Sequence, residues 1–206
     1  MEAVIKVGGS LSEDPPALRT FCRFLGGLAE SHRILVVPGG GKFADAVRQY
    51  DGLYGLPATV AHKMAILAMD QYGLLLGSLT LGSFTTHSLI RACRSPRRSI
   101  PIILPSKLMF QRDPLENSWR VTSDSIAVKD VDGIFTEDPK SRTDAVLIRE
   151  ISASELRGRR AGVDEFLPDL LKEKGLNCYV VNGKHPERIR SLLMGESTVH
   201  THIIPV

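Results

Sequence analysis

The sequence VIKVGGSL, residues 4–11, decides which fold this chain can adopt. Its β-branched residues are typical of a buried parallel strand, which ends where glycine permits backbone conformations that other residues avoid. A lysine is costly to bury alone in such a strand, so we expect the Lys6 ammonium to emerge beside an anion. The free amides of Gly8 and Gly9 suit phosphate oxygens. Taken alone, the stretch fits a second interpretation as well as it fits a phosphate site: a strand and a tight turn without a ligand, in which the lysine extends to solvent.

The same pattern recurs one unit later in the chain. Residues 33–37 (RILVV) form a second apolar run, which ends in Gly39, Gly40 and Gly41 before a helical pattern opens at Lys42. In a parallel α/β sheet, ligands bind at the carboxyl ends of strands, where such loops meet. Two equivalent glycine loops, the first preceded by a lysine, therefore favour a phosphate site at one edge of the sheet.

Strand and helix patterns alternate along the rest of the chain. Helical spacing of apolar residues predicts helices over 17–30, 58–79, 164–174 and 187–194, and short apolar runs predict strands at 99–104, 176–181 and 200–206. No internal repeat or linker interrupts this order. The alternation predicts a single domain with an α/β fold, a three-layer α/β/α sandwich around a mainly parallel central sheet.

Composition excludes several classes of protein. The 206 residues carry a formal net charge of +3, too little to indicate a nucleic-acid partner, and the basic run at 91–98 is typical of a solvated loop. Three scattered cysteines argue against a disulfide framework or a zinc site. The sequence shows neither a leader nor an apolar run long enough to span a membrane, so we expect a cytoplasmic protein without a membrane partner.

The candidate site residues suit phosphoryl transfer, which needs positioning and charge neutralisation more than covalent help from the protein. They are glycines, a lysine and carboxylates in predicted loops, without a general-base histidine among them. Neither a Walker A motif (GxxxxGK[ST]) nor GxGxxG after a strand occurs, which makes a P-loop NTPase or a dinucleotide dehydrogenase a poor fit.

Four motifs, VIKVGGSL, VVPGGGKFA, VTSDS and KDVDGIF, resemble in this order the motifs of the amino acid kinase family. The stretches HKMAILAMD, ILPSK and YVVNGKHPERI are similar to the branch of that family that acts in methanofuran biosynthesis. The resemblance implies the carbamate kinase-like fold and an ATP- and Mg²⁺-dependent kinase. Its implied partner is a small phosphorylated molecule, a furan-methyl phosphate with an aminomethyl group, which becomes a diphosphate. The family also implies a homo-oligomer.

The resemblance also implies roles for individual residues. Lys6 would bridge the transferred phosphoryl group and Asp124 would organise the Lys6 side chain, although Asp124 also fits a helix cap. The implied nucleotide-binding residues are Gly8, Gly9, Ser10, Lys129, Asp130, Asp132, Gly133 and Phe135. The implied acceptor-binding residues are Gly39, Gly40, Gly41, Asp70 and Ser123, with Asp45 as an alternative to Asp70. No protein side chain is assigned as a metal ligand. The acceptor would bind to a lobe at 1–121 and the nucleotide to a lobe at 122–206.

The chain departs from the family pattern at two places. Phe166 stands where many members carry a second lysine that binds the nucleotide phosphates. Only residues 126–128 separate Ser125 from Lys129, where the family has a helix and a strand. Because the loss of a central strand would leave backbone groups unpaired in the core, we expect residues of the natural chain to be missing between Val128 and Lys129.

Two other functions remain open from the sequence. The first is another phosphomonoester kinase of the family, such as one that acts on isopentenyl phosphate, which would share the mechanism and differ in its acceptor. The second is a homologue that binds or senses a phosphate ligand with little catalysis, and Phe166 is the residue that favours it.

Overall fold

The computed structural model describes residues 2–111, 127–157 and 167–206 of the chain. The first half contains β1 (Ala3–Val7), a 3-10 helix (Gly9–Glu13), α1 (Pro15–Leu28), β2 (Ile34–Pro38), α2 (Gly41–Tyr54), α3 (Ala58–Leu79), β3 (Ser83–Thr86), α4 (Leu89–Cys93), β4 (Ile100–Ile103) and α5 (Ser106–Gln111). The second half contains β5 (Ala127–Lys129), β6 (Ile134–Phe135), β7 (Leu147–Ile148), β8 (Glu150–Ser152), α6 (Ala153–Leu156), α7 (Leu167–Lys174), β9 (Cys178–Asn182), α8 (Glu187–Leu193) and β10 (Thr201–Ile204).

Eight strands form one sheet in the order β3-β4-β2-β1-β5-β9-β10-β8. Every neighbouring pair is parallel except β9 and β10, and a separate antiparallel hairpin joins β6 to β7. From β1 the chain proceeds to β2 on one side and later to β5 on the other. The order of the strands therefore reverses at β1, and the crevice at such a point is where open α/β sheets bind ligands.

The two faces of the sheet are covered differently. One face carries a continuous core in which Ile5, Val7 and Val128 pack with buried residues of α1, α3 and α8. The opposite face carries two separate clusters, one around Leu35 and α4 and one around Ala127, α6 and α7. Helices on both faces confirm the predicted three-layer α/β/α architecture.

Local signals in the sequence explain several helix ends. The Asp14 side chain accepts a hydrogen bond from the backbone N–H of Ala17 at 3.1 Å and caps α1, which has prolines in its first turn. Ser152 and Glu155 form a reciprocal capping box at α6. Helix α3 has the predicted bounds. The predictions omitted β3, α4 and the short strands β6 to β8, because brief partly exposed segments carry a weak apolar pattern.

Strand β5 contains both Val128 and Lys129, the two residues between which the sequence predicts a missing segment. Both residues lie in one continuous strand, paired with β1 on one side and with β9 on the other. The Val128 carbonyl accepts the N–H of Gly8 at 2.9 Å, and the Lys129 carbonyl accepts the N–H of Gly183 at 2.7 Å. A strand of three residues thus pairs the central backbone on both sides, and the missing segment stays a prediction.

No helix in the described part of the chain combines the length and apolar character that crossing a bilayer requires.

A valine pair tests the central position of β5. Val128 is fully buried and Val146 is 62% exposed, so Val128→Ala removes core contacts whereas Val146→Ala removes almost none. We expect Val128→Ala to lower the free energy of unfolding by about 2 kcal/mol, from lost burial and the remaining cavity. Urea denaturation measures both variants, and equal small effects would contradict a paired central β5.

Candidate active site

Three turns meet at the carboxyl ends of the central strands. The first glycine loop, Gly8 to Ser10, follows β1, and the second glycine loop, Gly39 to Gly41, follows β2. The acidic turn at 130–133 follows β5 on the other side of β1. The structure thus brings together most of the residues that the sequence assigned to the site and that lie in the described ranges.

The two glycine loops are in direct backbone contact. The N–H of Gly39 donates to the carbonyl of Val7 at 2.9 Å, which ties the second loop to the end of β1. A β-carbon added to Gly9 would lie 2.1 Å from the α-carbon of Gly41, and Gly41 has φ of +55°. Only glycine permits this approach. Phosphate groups held by the two loops would therefore be neighbours.

Side chains from other elements fix the first glycine loop. The Tyr72 hydroxyl of α3 donates to the carbonyl of Gly8 at 3.3 Å, and the Ser12 hydroxyl donates to the carbonyl of Gly9 at 2.6 Å. Because these bonds occupy carbonyl oxygens, the carbonyl edge of the loop is directed into the protein. This arrangement is consistent with a loop that uses its N–H groups for an anion.

Lys6 lies below this contact and is 7% exposed. Its neighbours Ile5 and Val7 point into the continuous core, so the Lys6 side chain extends from the opposite face of the sheet. On that face, Lys6 lies between two hydrophobic clusters. One cluster contains Leu35, with Val4 packed against it, and the other contains Ala127. The fold thus buries a lysine where a ligand can approach the end of β1.

A polar cleft of about 350 Å³ adjoins the first glycine loop. It is lined by Ser10, Glu13, Asp14, Pro15, Asp130, Lys140 and Lys184. Burial alone would raise the pKa of Asp130, but hydrogen bonds from Lys140 and Ser10 hold it below its ordinary value. Lys184 forms an ion pair with Asp14 at 2.9 Å.

Sequence reasoning missed Lys140 and Lys184 as residues of this cleft. Lys140 lies in the polar loop between β6 and β7, and this hairpin returns the loop to the turn after β5. Lys184 follows a glycine turn after β9, which was the one available signal, because that turn ends at the same edge of the sheet.

The rest of the acidic turn is tied to the protein body. Asp132 accepts hydrogen bonds from Asn182 at 2.9 Å and Arg188 at 2.6 Å, and these contacts lower its pKa against the opposing effect of burial. A β-carbon on Gly133 would lie 2.4 Å from the Thr201 hydroxyl oxygen. Phe135 lies in the β6–β7 hairpin, and it is not among the residues that line the cleft.

The two candidate acceptor carboxylates already have protein partners. Asp70 is buried and accepts hydrogen bonds from the backbone N–H of Ser106, at 3.1 Å, and from the Ser106 hydroxyl. His87 lies 3.9 Å from the same carboxylate. Asp45 pairs on the surface with Arg48 at 2.7 Å. Asp70 therefore joins α3 to the start of α5, and its role as an acceptor ligand stays a prediction.

Three assigned positions lie outside the described residues: Ser123, Asp124 and Phe166. The described ranges contain no group of three or more histidine, cysteine or carboxylate side chains placed to hold a metal ion. Asp130, which interacts with the Ser10 side chain, is one of three carboxylates that line the cleft beside the first glycine loop, together with Glu13 and Asp14. A single protein carboxylate fits Mg²⁺ held chiefly by substrate phosphates, since Mg²⁺ in kinases uses one or two carboxylates together with phosphate oxygens.

Known proteins resemble this chain in sequence and in fold. The sequence profile described as the amino acid kinase family matches residues 1–129 and 123–182. The chain is 32% identical to a [5-(aminomethyl)furan-3-yl]methyl phosphate kinase of Methanocaldococcus jannaschii, over 98% of both chains. It is 26% identical to an isopentenyl phosphate kinase of Thermoplasma acidophilum, over 90% of this chain and 94% of that one. Its structure resembles that of a uridylate kinase from Archaeoglobus fulgidus with a TM-score of 0.72, at 23% identity and over 98% of this chain and 100% of that one.

These comparisons also bear on the short connection before β5. The alignment with the Methanocaldococcus protein extends over 220 positions, more than the 206 residues of this chain, so that protein has residues without a counterpart here. The family profile matches in two parts that overlap at 123–129, where the connection is shorter than the family pattern. Strand β5, of three residues, lies in this region.

Two glycine-to-alanine variants test the loop contact. Gly9→Ala would force its new methyl group into Gly41, whereas a β-carbon on the exposed helical Gly27 meets nothing within 4 Å. We expect Gly9→Ala to lower the free energy of unfolding by about 1–3 kcal/mol and to weaken the binding of inorganic pyrophosphate. Gly27→Ala should be neutral or stabilising by up to about 1 kcal/mol. Urea denaturation and calorimetry measure both, and unchanged pyrophosphate binding by Gly9→Ala would contradict a phosphate site at the loop contact.

Proposed function

Because the chain belongs to the amino acid kinase family and is a phosphotransferase, we propose that it transfers the γ-phosphoryl group of ATP to a furan-methyl phosphate that carries an aminomethyl group. The product is a diphosphate, and the reaction belongs to the biosynthesis of a methanofuran-type cofactor in the cytoplasm. The observation that carries the proposal is the contact of the two glycine loops beside Lys6. It supports a reaction in which donor and acceptor both present phosphate groups.

The chain's own residues act by position and charge. Gly9 and Ser10 hold the donor phosphates with backbone N–H groups, beside Gly8, whose own N–H donates to the Val128 carbonyl. The second glycine loop holds the acceptor phosphate. An oxygen of the acceptor phosphate forms the new bond to the γ-phosphorus, while the bond from that phosphorus to the bridging oxygen breaks and ADP leaves. Lys6 neutralises charge on the transferred group, and Asp124 orients Lys6. Mg²⁺, when bound with ATP, supplies further charge neutralisation.

We also propose that the acceptor binds to the lobe at 1–121 and the nucleotide to the lobe at 122–206. The hydrophobic clusters support this division. The clusters around Leu35 and Val47 contain only residues of the first lobe, and the cluster around Ala127 contains only residues of the second. The continuous core on the other face joins the lobes through Val128 and Val181.

A lysine variant with an acceptor panel tests the proposed reaction. We expect Lys6→Met to lower kcat by about 10²- to 10³-fold with folding intact, because it removes charge neutralisation from the transferred group. The control is Lys174→Met, since Lys174 is exposed and pairs with the adjacent Glu173. ADP release measured with the furan phosphate, isopentenyl phosphate and UMP identifies the acceptor. Equal rates for wild type and Lys6→Met would contradict the mechanism.

The panel separates the alternatives. Turnover confined to isopentenyl phosphate would assign that acceptor instead of the furan phosphate, and the Thermoplasma relative is the reason to include it. Binding of the phosphates in single-turnover experiments without ADP release would indicate a binding or sensing protein.

We propose that the protein is a homo-oligomer. The two long helices α2 and α3 expose large apolar side chains, among them Leu53 at 76%, Tyr54 at 71% and Leu74 at 54%. Exposed apolar groups of this kind are typical of protein contacts. Light scattering during size exclusion should give a multiple of the chain mass of 22.6 kDa, and Leu53→Asp should shift it toward one chain. A wild-type mass of one chain at micromolar concentration would contradict this proposal.

A further inference from the structure

Two hydroxyl groups, those of Tyr72 and Ser12, hold consecutive peptide units of the first glycine loop. The Tyr72 hydroxyl donates to the Gly8 carbonyl at 3.3 Å. The Ser12 hydroxyl donates to the Gly9 carbonyl at 2.6 Å. Because a peptide unit is planar and trans, its N–H points away from its C=O. The first bond therefore sets the direction of the Gly9 N–H, and the second sets that of the Ser10 N–H.

The N–H groups of Gly9 and Ser10 are available to a ligand. Among the residues that the structure describes, neither group donates to a backbone carbonyl, whereas the Gly8 N–H donates to Val128 at 2.9 Å. A β-carbon on Gly39 would lie 3.2 Å from the Gly9 nitrogen. Because Gly39 carries none, the space beside this nitrogen stays open on the side of the second glycine loop.

The Tyr72 hydroxyl is a rigidly held donor. Its ring is fully buried in the continuous core, and burial raises its pKa, so the hydroxyl keeps its proton. At the next residue, a β-carbon on Gly73 would lie 2.8 Å from the Leu104 side chain and 3.2 Å from that of Pro38. Helix α3 therefore packs directly against the chain at the ends of β2 and β4. Since Pro38 precedes the second glycine loop, this packing fixes the Tyr72 hydroxyl relative to that loop.

The Ser12 hydroxyl lies where the two glycine loops meet. It is bonded to the first loop at the Gly9 carbonyl, and a β-carbon on Gly41 of the second loop would lie 3.3 Å from its oxygen. Ser12 itself is half-buried. One hydroxyl thus holds a peptide unit of the first loop at the point of closest approach to the second.

We infer that Tyr72 and Ser12 are positioning residues, which direct two N–H groups of the first glycine loop at the phosphoryl groups of the donor. Tyr72 acts on the Gly9 N–H, and Ser12 acts on the Ser10 N–H. Each hydroxyl acts through the peptide unit to which it is bonded. An N–H that already points at the ligand needs no reorientation when charge develops on the transferred group. The inference deepens the proposed function and rests on it for the identity of the donor.

Calorimetry with inorganic pyrophosphate tests the inference without turnover. Tyr72→Phe removes the hydroxyl and keeps the buried ring, and Ser12→Ala removes the other hydroxyl at little cost in volume. We expect each variant to bind pyrophosphate about three- to tenfold more weakly than wild type, because one peptide unit loses the hydrogen bond that orients it.

Two matched variants serve as controls. The Ser78 hydroxyl donates at 2.7 Å to the carbonyl three residues before it, as the Ser12 hydroxyl does, but on the exposed side of α3. Tyr179 lies on β9, where its ring stacks on His202. Ser78→Ala and Tyr179→Phe should therefore bind pyrophosphate as wild type does.

Amide proton shifts, measured by NMR with and without saturating pyrophosphate, distinguish positioning from stability. In wild type, pyrophosphate should move the amide protons of Gly9 and Ser10 downfield, because an N–H bonded to an anion is deshielded. In Tyr72→Phe this change should be reduced at Gly9 and retained at Ser10. In Ser12→Ala it should be reduced at Ser10 and retained at Gly9. A purely structural role would lower the unfolding temperature and leave both changes at their wild-type values.

Wild-type pyrophosphate affinity in both Tyr72→Phe and Ser12→Ala would overturn the inference, and so would wild-type shift changes at both amides in the two variants. Pyrophosphate binding that depends on both hydroxyls, in a protein that releases no ADP with any acceptor of the panel, would contradict the proposed function and support the inference.

Discussion

At the ends of β1 and β2 the backbone of Gly9 lies against that of Gly41, and the rest of the site depends on this contact. Two parallel neighbouring strands each end in a loop without side chains, at the point where the strand order reverses. The backbones of the two loops therefore approach more closely than they could if residues with a β-carbon stood at Gly9 and Gly41. A reaction between two phosphate groups requires their mutual repulsion to be overcome at short range, and adjacent loops of N–H groups provide the setting for it.

The same edge of the sheet concentrates positive charge on one face. Lys6 is buried and Lys129 is half-buried, and both lie near the carboxyl ends of their strands. Lys140 pairs with Asp130 at the mouth of the cleft.

The sequence was sufficient to predict the elements with strong patterns. The strand before the first glycine loop, helix α3 and the turn after β5 all lie where periodicity and glycine position indicated. The edge strand β3 and the hairpin β6–β7 were not predicted because short exposed strands carry little apolar signal. The place of Lys140 in the cleft was not predicted for a related reason, since the β6–β7 hairpin brings that residue back to the cleft. The segment expected between Val128 and Lys129 follows from a rule on crossover length and stays a prediction, while the three residues of β5 pair with β1 and β9 at the centre of the sheet.

The central claim is that donor and acceptor phosphates occupy adjacent loops and react directly. The measurement that tests it best is the affinity of a bisubstrate analogue, in which adenosine and the furan-methyl acceptor are joined through four phosphates. If both loops are filled at once, the analogue should bind at least about a thousandfold more tightly than ATP, because the second binding event becomes intramolecular. An affinity no greater than that of ATP would contradict the adjacency of the two sites.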